Sequence, residues 1–164
     1  MKSQQIILTQ DQKSWLKALL FETPFNTDAE SPHELRPAVM VVPGGAYSYC
    51  SQRESSSVAL HFSLQGYQTF VLEYHCGEES EYPTPLIDIA LAIAHVRKHA
   101  AEYDIDPGRI AVVGFSAGGH LSALLGSLWW TSELSTQTKL KPADMEPNAL
   151  ILGYPVVNLK ALFT

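Results

Sequence analysis

A serine flanked by glycines is the chain's main candidate for chemistry. The residues Gly114-Phe115-Ser116-Ala117-Gly118 follow a short β-branched run that begins at Ile110, and they match the G-x-S-x-G nucleophile elbow. In such an elbow the chain turns sharply from a strand into a helix, and Gly114 and Gly118 lack the Cβ atoms that would clash there. A helix start behind Ser116 also favours negative charge at the turn. The pattern predicts Ser116 as a nucleophile for acyl transfer.

A second glycine-rich segment could supply another part of the same chemistry. Acyl transfer needs N–H donors for the oxyanion of the tetrahedral intermediate, and the amide of Ala117, directly after Ser116, is one expected donor. The residues Pro43-Gly44-Gly45-Ala46-Tyr47 end an apolar run at 38–42, where a second donor is expected. A simple turn is the alternative interpretation of this segment.

Apolar runs and helical patterns alternate along the chain in a way that places both segments. Strands are predicted at 38–42, 68–74, 110–114 and 149–154, and helices at 54–65, 84–103 and 117–128. A loop is predicted at 23–37 and a turn at 106–108. Near the N-terminus, 6–8 and 15–21 are candidate early strands, and 15–21 fits a short helix equally well.

This alternation predicts an α/β fold with a doubly wound, mostly parallel sheet and helices on both faces. Ligands bind such sheets at the carboxyl ends of the strands. Both glycine-rich segments follow strand carboxyl ends, so the sequence predicts one active-site edge that contains Gly44, Gly45 and Ser116.

With these residues in view, the chain resembles the N-terminal part of an α/β-hydrolase. It is most similar to the bacterial esterase/lipase group with acetyl-xylan-esterase-like and feruloyl-esterase-like enzymes. The resemblance runs from about residue 38 to 154 and includes Gly66-Tyr67, Tyr74 and the segment 106–110 besides the two glycine segments. It implies that the amides of Gly45 and Ala46 are oxyanion donors. Two positions depart from the His-Gly-Gly-Gly loop of related lipases, namely Pro43 and Ala46.

Length and composition limit the class of protein. The 164 residues, 46% of them hydrophobic and 17% charged, predict a single globular domain. A net charge of −6 gives no reason to expect nucleic acid or an anionic membrane as a partner, and no apolar run is long enough for a membrane span. The N-terminus lacks a signal-peptide core, and Cys50 and Cys76 make no disulfide framework, which favours a reducing cytoplasm. No metal or cofactor is implied.

The rest of a catalytic triad is expected outside this chain. In α/β-hydrolases the order is Ser, then Asp or Glu, then His, and each strand with its crossover takes about 30 residues or more. Too few residues follow 149–154 for either site, so we expect a domain 1–164 that is incomplete at its C-terminus, truncated before its last two strands. The strand 149–154 would then be an exposed sheet edge, which favours a homodimer through that edge or aggregation.

Other polar residues near the predicted site have two interpretations each. His120 lies one helical turn after Ser116 and is either a base or a structural residue behind the elbow, which the Gly-Gly-His-Leu resemblance favours. His75 ends a strand at the same edge, Cys76 beside it shows no context that activates a thiolate, and Asp88 fits a helix start or an ion pair. Trp129-Trp130 could line an acyl or sugar pocket or simply end an amphipathic helix.

The function predicted from these residues is a serine carboxylic-ester hydrolase for small acyl esters, acetylated sugars among them. Ser116 is the nucleophile, and Gly45, Ala46 and Ala117 donate to the oxyanion. One alternative is an inactive hydrolase fragment that acts as a binding or interaction domain. Another is a peptidase of the same fold.

Overall fold

The computed structural model describes residues 1–22 and 34–158, which form a six-stranded sheet with the order β1-β2-β4-β3-β5-β6. The strands are β1 (Lys2–Ile7), β2 (Trp15–Leu20), β3 (Arg36–Val42), β4 (Gln68–Glu73), β5 (Ile105–Phe115) and β6 (Ala149–Gly153). The helices are α1 (Ser56–Leu64), α2 (Thr84–Lys98), α3 (Ala117–Leu128), α4 (Ser132–Thr138) and α5 (Pro142–Met145).

Four strands of the sheet are parallel and two are not. Strand β3 pairs in parallel with β4 and β5, and β5 pairs in parallel with β6. Strands β1 and β2 form an antiparallel pair, and β2 joins β4 antiparallel. The prediction of a mostly parallel sheet is confirmed, and the open choice at 15–21 is settled in favour of a strand.

The central strands are continuous apolar runs because both of their faces are buried. In β3, Met40 and Val42 point into the larger core, while Val39 and Val41 point into a smaller one. Ala59 of α1 packs in the smaller core, whereas α2 and α3 contribute to the larger. Helices therefore cover both faces, as the alternating pattern predicts.

Several predicted boundaries were wrong. Helix α2 ends at Lys98 rather than 103, since the chain turns there and enters β5 at Ile105. The predicted turn at 106–108 is a bulge within β5: Ile105 pairs with Arg36 and Ile110 with Ala38, so extra residues are accommodated on the β5 side. Helices α4 and α5 were not predicted, and residues 23–33 of the predicted loop lie outside the described residues.

The helices in the described part of the chain are short compared with the thickness of a bilayer. Helix α2, the longest in the described ranges, has 15 residues, and no helix there is long and apolar enough to cross a membrane.

Candidate active site

Ser116 stands at the sharp turn between β5 and α3 with a backbone that few residues adopt. Its φ is 51° and its ψ is −115°, and the residue is only partly buried. Three backbone hydrogen bonds hold this conformation. The Ser116 amide donates to the Gly153 carbonyl at 3.0 Å, and the Ser116 carbonyl accepts from the His120 amide at 2.9 Å and from the Val156 amide at 3.3 Å. A strained residue that its surroundings hold in place is a frequent feature of functional sites.

The two glycines beside Ser116 allow the helix to start directly against the sheet. A Cβ atom at Gly114 would lie 2.3 Å from the Ser122 hydroxyl oxygen. A Cβ atom at Gly118 would lie 2.2 Å from the Val42 carbonyl oxygen. Larger residues at these two positions would force α3 away from β3 and β5, and Ser116 would move with it.

The second glycine segment begins a loop, residues 43–51, that we call the glycine loop. Three successive residues have positive φ, with 130° at Gly45, 55° at Ala46 and 62° at Tyr47. A Cβ atom at Gly45 would lie 1.8 Å from the Tyr49 carbonyl oxygen, so that position requires glycine. The Gly45 carbonyl accepts bonds from later amides of the loop, whereas no described residue accepts from the amides of Gly45 or Ala46.

The glycine loop packs directly against the nucleophile. A Cβ atom at Gly44 would lie 2.9 Å from the Ser116 Cβ. The Gly44 amide donates to Glu54 Oε2 at 2.8 Å, and the Tyr74 hydroxyl donates to the Pro43 carbonyl at 2.8 Å. The Gly44 amide is therefore occupied, whereas the amides of Gly45 and Ala46, directly after it, remain unpaired among the described residues.

The structure brings three of the predicted site residues to one cleft. Ser116, Gly45 and Ala46 line a cavity of about 260 Å³, together with Glu54 and Tyr154. Ala117 is not part of the lining, because it is buried behind Ser116 at the start of α3. Its amide belongs to the first turn of that helix, where backbone N–H groups have no partner within the helix.

His120 is engaged with the glycine loop. The Tyr47 hydroxyl and His120 Nδ1 are 2.7 Å apart, and the two rings meet edge to face with centroids 5.8 Å apart. Burial lowers the pKa of His120, so the ring is neutral near pH 7. This arrangement favours the structural role for His120, since one of its ring nitrogens joins α3 to the glycine loop.

An apolar pocket of about 400 Å³ lies beside this pair. It is lined mainly by ring and aliphatic side chains, including Tyr47, Tyr82, Leu86, His120 and Leu124. Trp129 and Trp130 line neither this pocket nor the Ser116 cleft, which favours their interpretation as the end of a helix.

His75 is held between two carboxylates and is not available as a base. Its Nδ1 lies 2.8 Å from Asp88 Oδ2 and its Nε2 lies 2.8 Å from Asp11 Oδ2. Burial on its own would lower the pKa of His75, but the two carboxylates outweigh it and raise that pKa above its usual value. Asp88 is almost fully buried and pairs with His75. Of the two interpretations of Asp88, the structure thus favours the ion pair.

Within the described residues, no side chain is placed to take a proton from Ser116. No group there forms a hydrogen bond with the Ser116 hydroxyl. The described histidines all have other partners: Ser57 for His61, the two carboxylates for His75, Tyr103 for His95, the His95 carbonyl for His99, and Tyr47 for His120. His33 lies outside the described residues. The described site thus brings together Ser116 and the unpaired amides of Gly45 and Ala46, without a described side chain placed to act as a base.

Sequence reasoning missed Glu54, which braces the site from two directions. Its Oε2 accepts from the Gly44 amide, and its Oε1 accepts from the Tyr154 hydroxyl at 2.6 Å. One carboxylate therefore joins the glycine loop to the segment after β6. In the sequence Glu54 is the first residue of the helix predicted at 54–65, and no signal there separates it from an ordinary surface acid.

A strained serine at the end of a central parallel strand, beside a loop in which the Gly45 and Ala46 amides are unpaired within the described ranges, defines the class: the fold and the site are those of the α/β-hydrolases. Residues 26–164 match the BD-FAE family, and the chain belongs to that family.

Curated relatives and solved structures agree with this assignment. Endo-1,4-beta-xylanase B of Butyrivibrio fibrisolvens is 32% identical over 125 residues, which cover 74% of this chain. Acetylxylan esterase of Xylanibacter ruminicola is 31% identical over 123 residues, again 74% of the chain. The carboxylesterase Cest-2923 of Lactobacillus plantarum superimposes on 98% of the chain with a TM-score of 0.84 and 31% identity.

The relatives are much longer than the matched region. The chain spans 20% of the xylanase, 23% of the acetylxylan esterase and 58% of the solved carboxylesterase chain. Homologues named as esterases and structures of carboxylesterases together make this chain an esterase-like hydrolase by lineage.

Proposed function

We propose that this chain carries the nucleophile and the oxyanion hole of a serine carboxylic-ester hydrolase for small acyl esters. The observation that carries the proposal is the cleft in which Ser116, held at positive φ, faces the unpaired amides of Gly45 and Ala46. Family membership supports it, because the matched relatives include carboxylic-ester hydrolases.

The reaction begins when the Ser116 hydroxyl oxygen attacks the ester carbonyl carbon, while its proton passes to a base. The carbonyl oxygen becomes an oxyanion and accepts hydrogen bonds from the amides of Gly45, Ala46 and Ala117. Collapse of this intermediate expels the alcohol and leaves an acyl-Ser116 ester, which water then hydrolyses. We assign the base and its acidic partner to residues beyond the described part of the chain.

The surroundings of Ser116 suggest how a substrate would lie. The cleft at Ser116 has polar walls that include Arg53, Glu54 and Tyr154. These walls suit the hydroxyl groups of a sugar that forms the alcohol part of the ester. The apolar pocket beside Tyr47 and His120 suits a small acyl chain or a hydrophobic leaving group. An acetylated sugar is therefore the substrate that we propose. The proposed location, the cytoplasm, rests on the sequence prediction alone.

Intact-mass measurement after treatment with a fluorophosphonate probe tests the proposal. We expect slow labelling of the wild type, since the described residues offer no base, with at most one probe per chain and no labelling of Ser116→Ala. Ser48→Ala is the matched control, because Ser48 lines the same cleft but lies in the exposed loop. Equal labelling of Ser116→Ala and the wild type would contradict the assignment.

One observation favours a second candidate function. Since no described residue bonds to the Ser116 hydroxyl, the chain can be a hydrolase domain that binds esters without cleaving them. A chain that is folded by circular dichroism, stays unlabelled by the probe and still binds an acetylated sugar would support this candidate over the hydrolase.

A further inference from the structure

The only two cysteines of the chain lie next to each other in space. Cys50 belongs to the glycine loop, and Cys76 follows β4. Their sulfur atoms are 3.8 Å apart, and both residues are partly buried against the larger core. Neither the proposed reaction nor the family assignment uses this pair.

The two segments that carry the cysteines are already fixed to each other. The Gly77 amide donates to the Tyr47 carbonyl at 2.7 Å, and the Tyr74 hydroxyl donates to the Pro43 carbonyl. A disulfide needs a sulfur–sulfur distance of about 2.05 Å, so the sulfurs must approach by less than about 2 Å. Small side-chain rotations can supply that movement while the backbone hydrogen bonds stay in place.

We propose that Cys50 and Cys76 are a reversible modification site, which a low-molecular-weight disulfide oxidises to an intramolecular disulfide that fastens the glycine loop to the segment after β4. The site itself stands on the position of the two thiols. Its effect on the oxyanion hole rests on the proposed function.

The exchange balances without another reactant. The Cys76 thiolate attacks a sulfur of oxidised glutathione, so a mixed disulfide forms and one glutathione thiolate leaves. Cys50 then loses its proton and attacks the Cys76 sulfur, so that the second glutathione leaves. Two protein thiols are oxidised, one glutathione disulfide is reduced to two thiols, and excess glutathione reverses both steps.

The surroundings favour Cys76 as the first attacking thiol. Hydrogen bonding to the Cys50 thiol lowers the pKa of Cys76 and outweighs burial and the nearby carboxylates of Glu73 and Asp88, which act in the opposite direction. The same pairing, together with burial, raises the pKa of Cys50. The sequence alone showed no such context around Cys76, because the partner thiol is distant in the chain.

The crosslink would reach the site through the backbone of the loop. The Ser51 amide, directly after Cys50, donates to the Gly44 carbonyl at 2.8 Å. A covalent bond at Cys50 would therefore help to keep the turn that carries Gly44 and Gly45 in the hydrogen-bonded conformation described above. We expect the oxidised chain to unfold at a higher temperature than the reduced chain.

Oxidation with oxidised glutathione, read by intact mass and peptide mapping, tests the site. The folded wild type should lose the mass of two hydrogens and give a single crosslinked peptide pair that contains Cys50 and Cys76. This should occur at least tenfold faster than in concentrated urea, where the thiols are not held together. Cys50→Ser and Cys76→Ser should each stop at the mixed disulfide.

Three results would overturn the proposal: covalent dimers as the main product, wild type that keeps bound glutathione, or equal rates in buffer and urea. The same oxidation of Ser116→Ala should proceed as in the wild type. Because that variant cannot react with the fluorophosphonate, failure of the disulfide and failure of the proposed hydrolase are read separately.

Discussion

The two sides of Ser116 differ in how firmly they are held. On one side, the glycine loop is fixed by the Gly44–Glu54 bond, the Tyr74–Pro43 bond and the Tyr47–His120 contact. On the other side, the end of β6 contacts the serine through two backbone bonds, from the Ser116 amide to Gly153 and from the Val156 amide to the Ser116 carbonyl. Among the described residues, side-chain contacts hold the glycine-loop side of Ser116, whereas backbone bonds alone connect the serine to β6 and the residues after it.

Exposure shows the same contrast. Along β6, the side chains of Leu150, Ile151 and Leu152 are 36%, 51% and 37% exposed, whereas the apolar side chains of β3 are buried. Strand β6 pairs with β5 on one side, and its sequence is as apolar as that of an inner strand. A long, apolar and exposed edge of this kind favours pairing with another strand. The homodimer through this edge remains a prediction.

The largest loss of stability should come from adding a side chain at Gly118, where α3 lies against the end of β3 and the start of the glycine loop. In Gly118→Ala, the new methyl would lie 2.2 Å from the Val42 carbonyl and 2.3 Å from the Pro43 carbonyl. Backbone atoms cannot yield cheaply, so the free energy of unfolding should fall by about 3 kcal/mol. Urea denaturation followed by circular dichroism measures this loss.

Gly126→Ala is the matched control in the same helix. Its methyl would meet only the tip of the Leu150 side chain, which can rotate, and alanine favours a helix over glycine. If Gly126→Ala lost as much free energy of unfolding as Gly118→Ala, α3 would tolerate no added methyl at either position. The loss in Gly118→Ala could then not be attributed to the contact with the glycine loop.

The second-largest loss of stability is expected at Glu54, which bonds to the glycine loop and to the segment after β6. Glu54→Ala removes the acceptor for the Gly44 amide and for the Tyr154 hydroxyl, and bonds to a charged group contribute about 1.5–3 kcal/mol each. Because Glu54 is only partly buried, we expect a loss near the lower end of that range in urea denaturation. Labelling of Ser116 should slow as well.

Glu54→Gln and Glu78→Ala are the controls for this prediction. Glutamine keeps one oxygen acceptor and should lose less stability than alanine. Glu78 is an exposed acid away from the cleft, and its removal should change stability by less than about 0.5 kcal/mol. If Glu54→Ala matched Glu78→Ala, the brace would contribute nothing.

A smaller effect is expected from the contact between Tyr47 and His120. Tyr47→Phe keeps the ring but removes the hydroxyl that meets His120 Nδ1, which should reduce the free energy of unfolding by about 1 kcal/mol. The same substitution at Tyr49, which is 60% exposed, should have no measurable effect. Thermal melts of the two variants decide between a specific bond and general loop sensitivity.

The smallest effect should be a pH dependence of stability that comes from His75. Its pKa is raised in the folded chain, so its contribution is complete below the unfolded value of about 6.5 and is lost as pH rises through the folded pKa. Stability should therefore decline as pH rises above about 6.5. The partners that face this ring are the carboxylates of Asp88 and Asp11, with the Cys76 thiol beside it.

Asp11→Asn should flatten this decline, because one of the two carboxylates that favour the charged ring is removed. His61→Ala is the control, since His61 is an exposed helix residue and its loss should leave the decline unchanged. An unchanged slope in Asp11→Asn would show that Asp11 does not interact with His75 in solution.

The parts of the molecule that sequence predicted well are those governed by local rules. Strand 110–114, the elbow at Ser116 and helix 117–128 follow from β-branched runs, glycine spacing and helix periodicity, which are all readable within a few residues. The glycine loop follows from the Gly44-Gly45 pair after an apolar strand. Membership in the α/β-hydrolases followed from these two segments together.

What the sequence did not predict depends on residues far apart in the chain. Glu54 meets Tyr154, His75 meets Asp11, and Cys50 meets Cys76 only once the sheet is assembled. The bulge in β5 depends on how Ile105 pairs with Arg36, which local turn rules cannot reveal. Single-sequence reasoning predicts candidate reacting groups, but it does not predict the side chains that contact them.

The carboxylate shared by Gly44 and Tyr154 has a consequence for the newly made chain. A ribosome releases the glycine loop well before the segment after β6, so Glu54 gains its second partner only when that late segment has emerged. Until then the Glu54 carboxylate bonds to the Gly44 amide but not yet to the Tyr154 hydroxyl. Ser116 likewise gains its bond to the Gly153 carbonyl only at that stage, so the surroundings of this serine are completed late in synthesis.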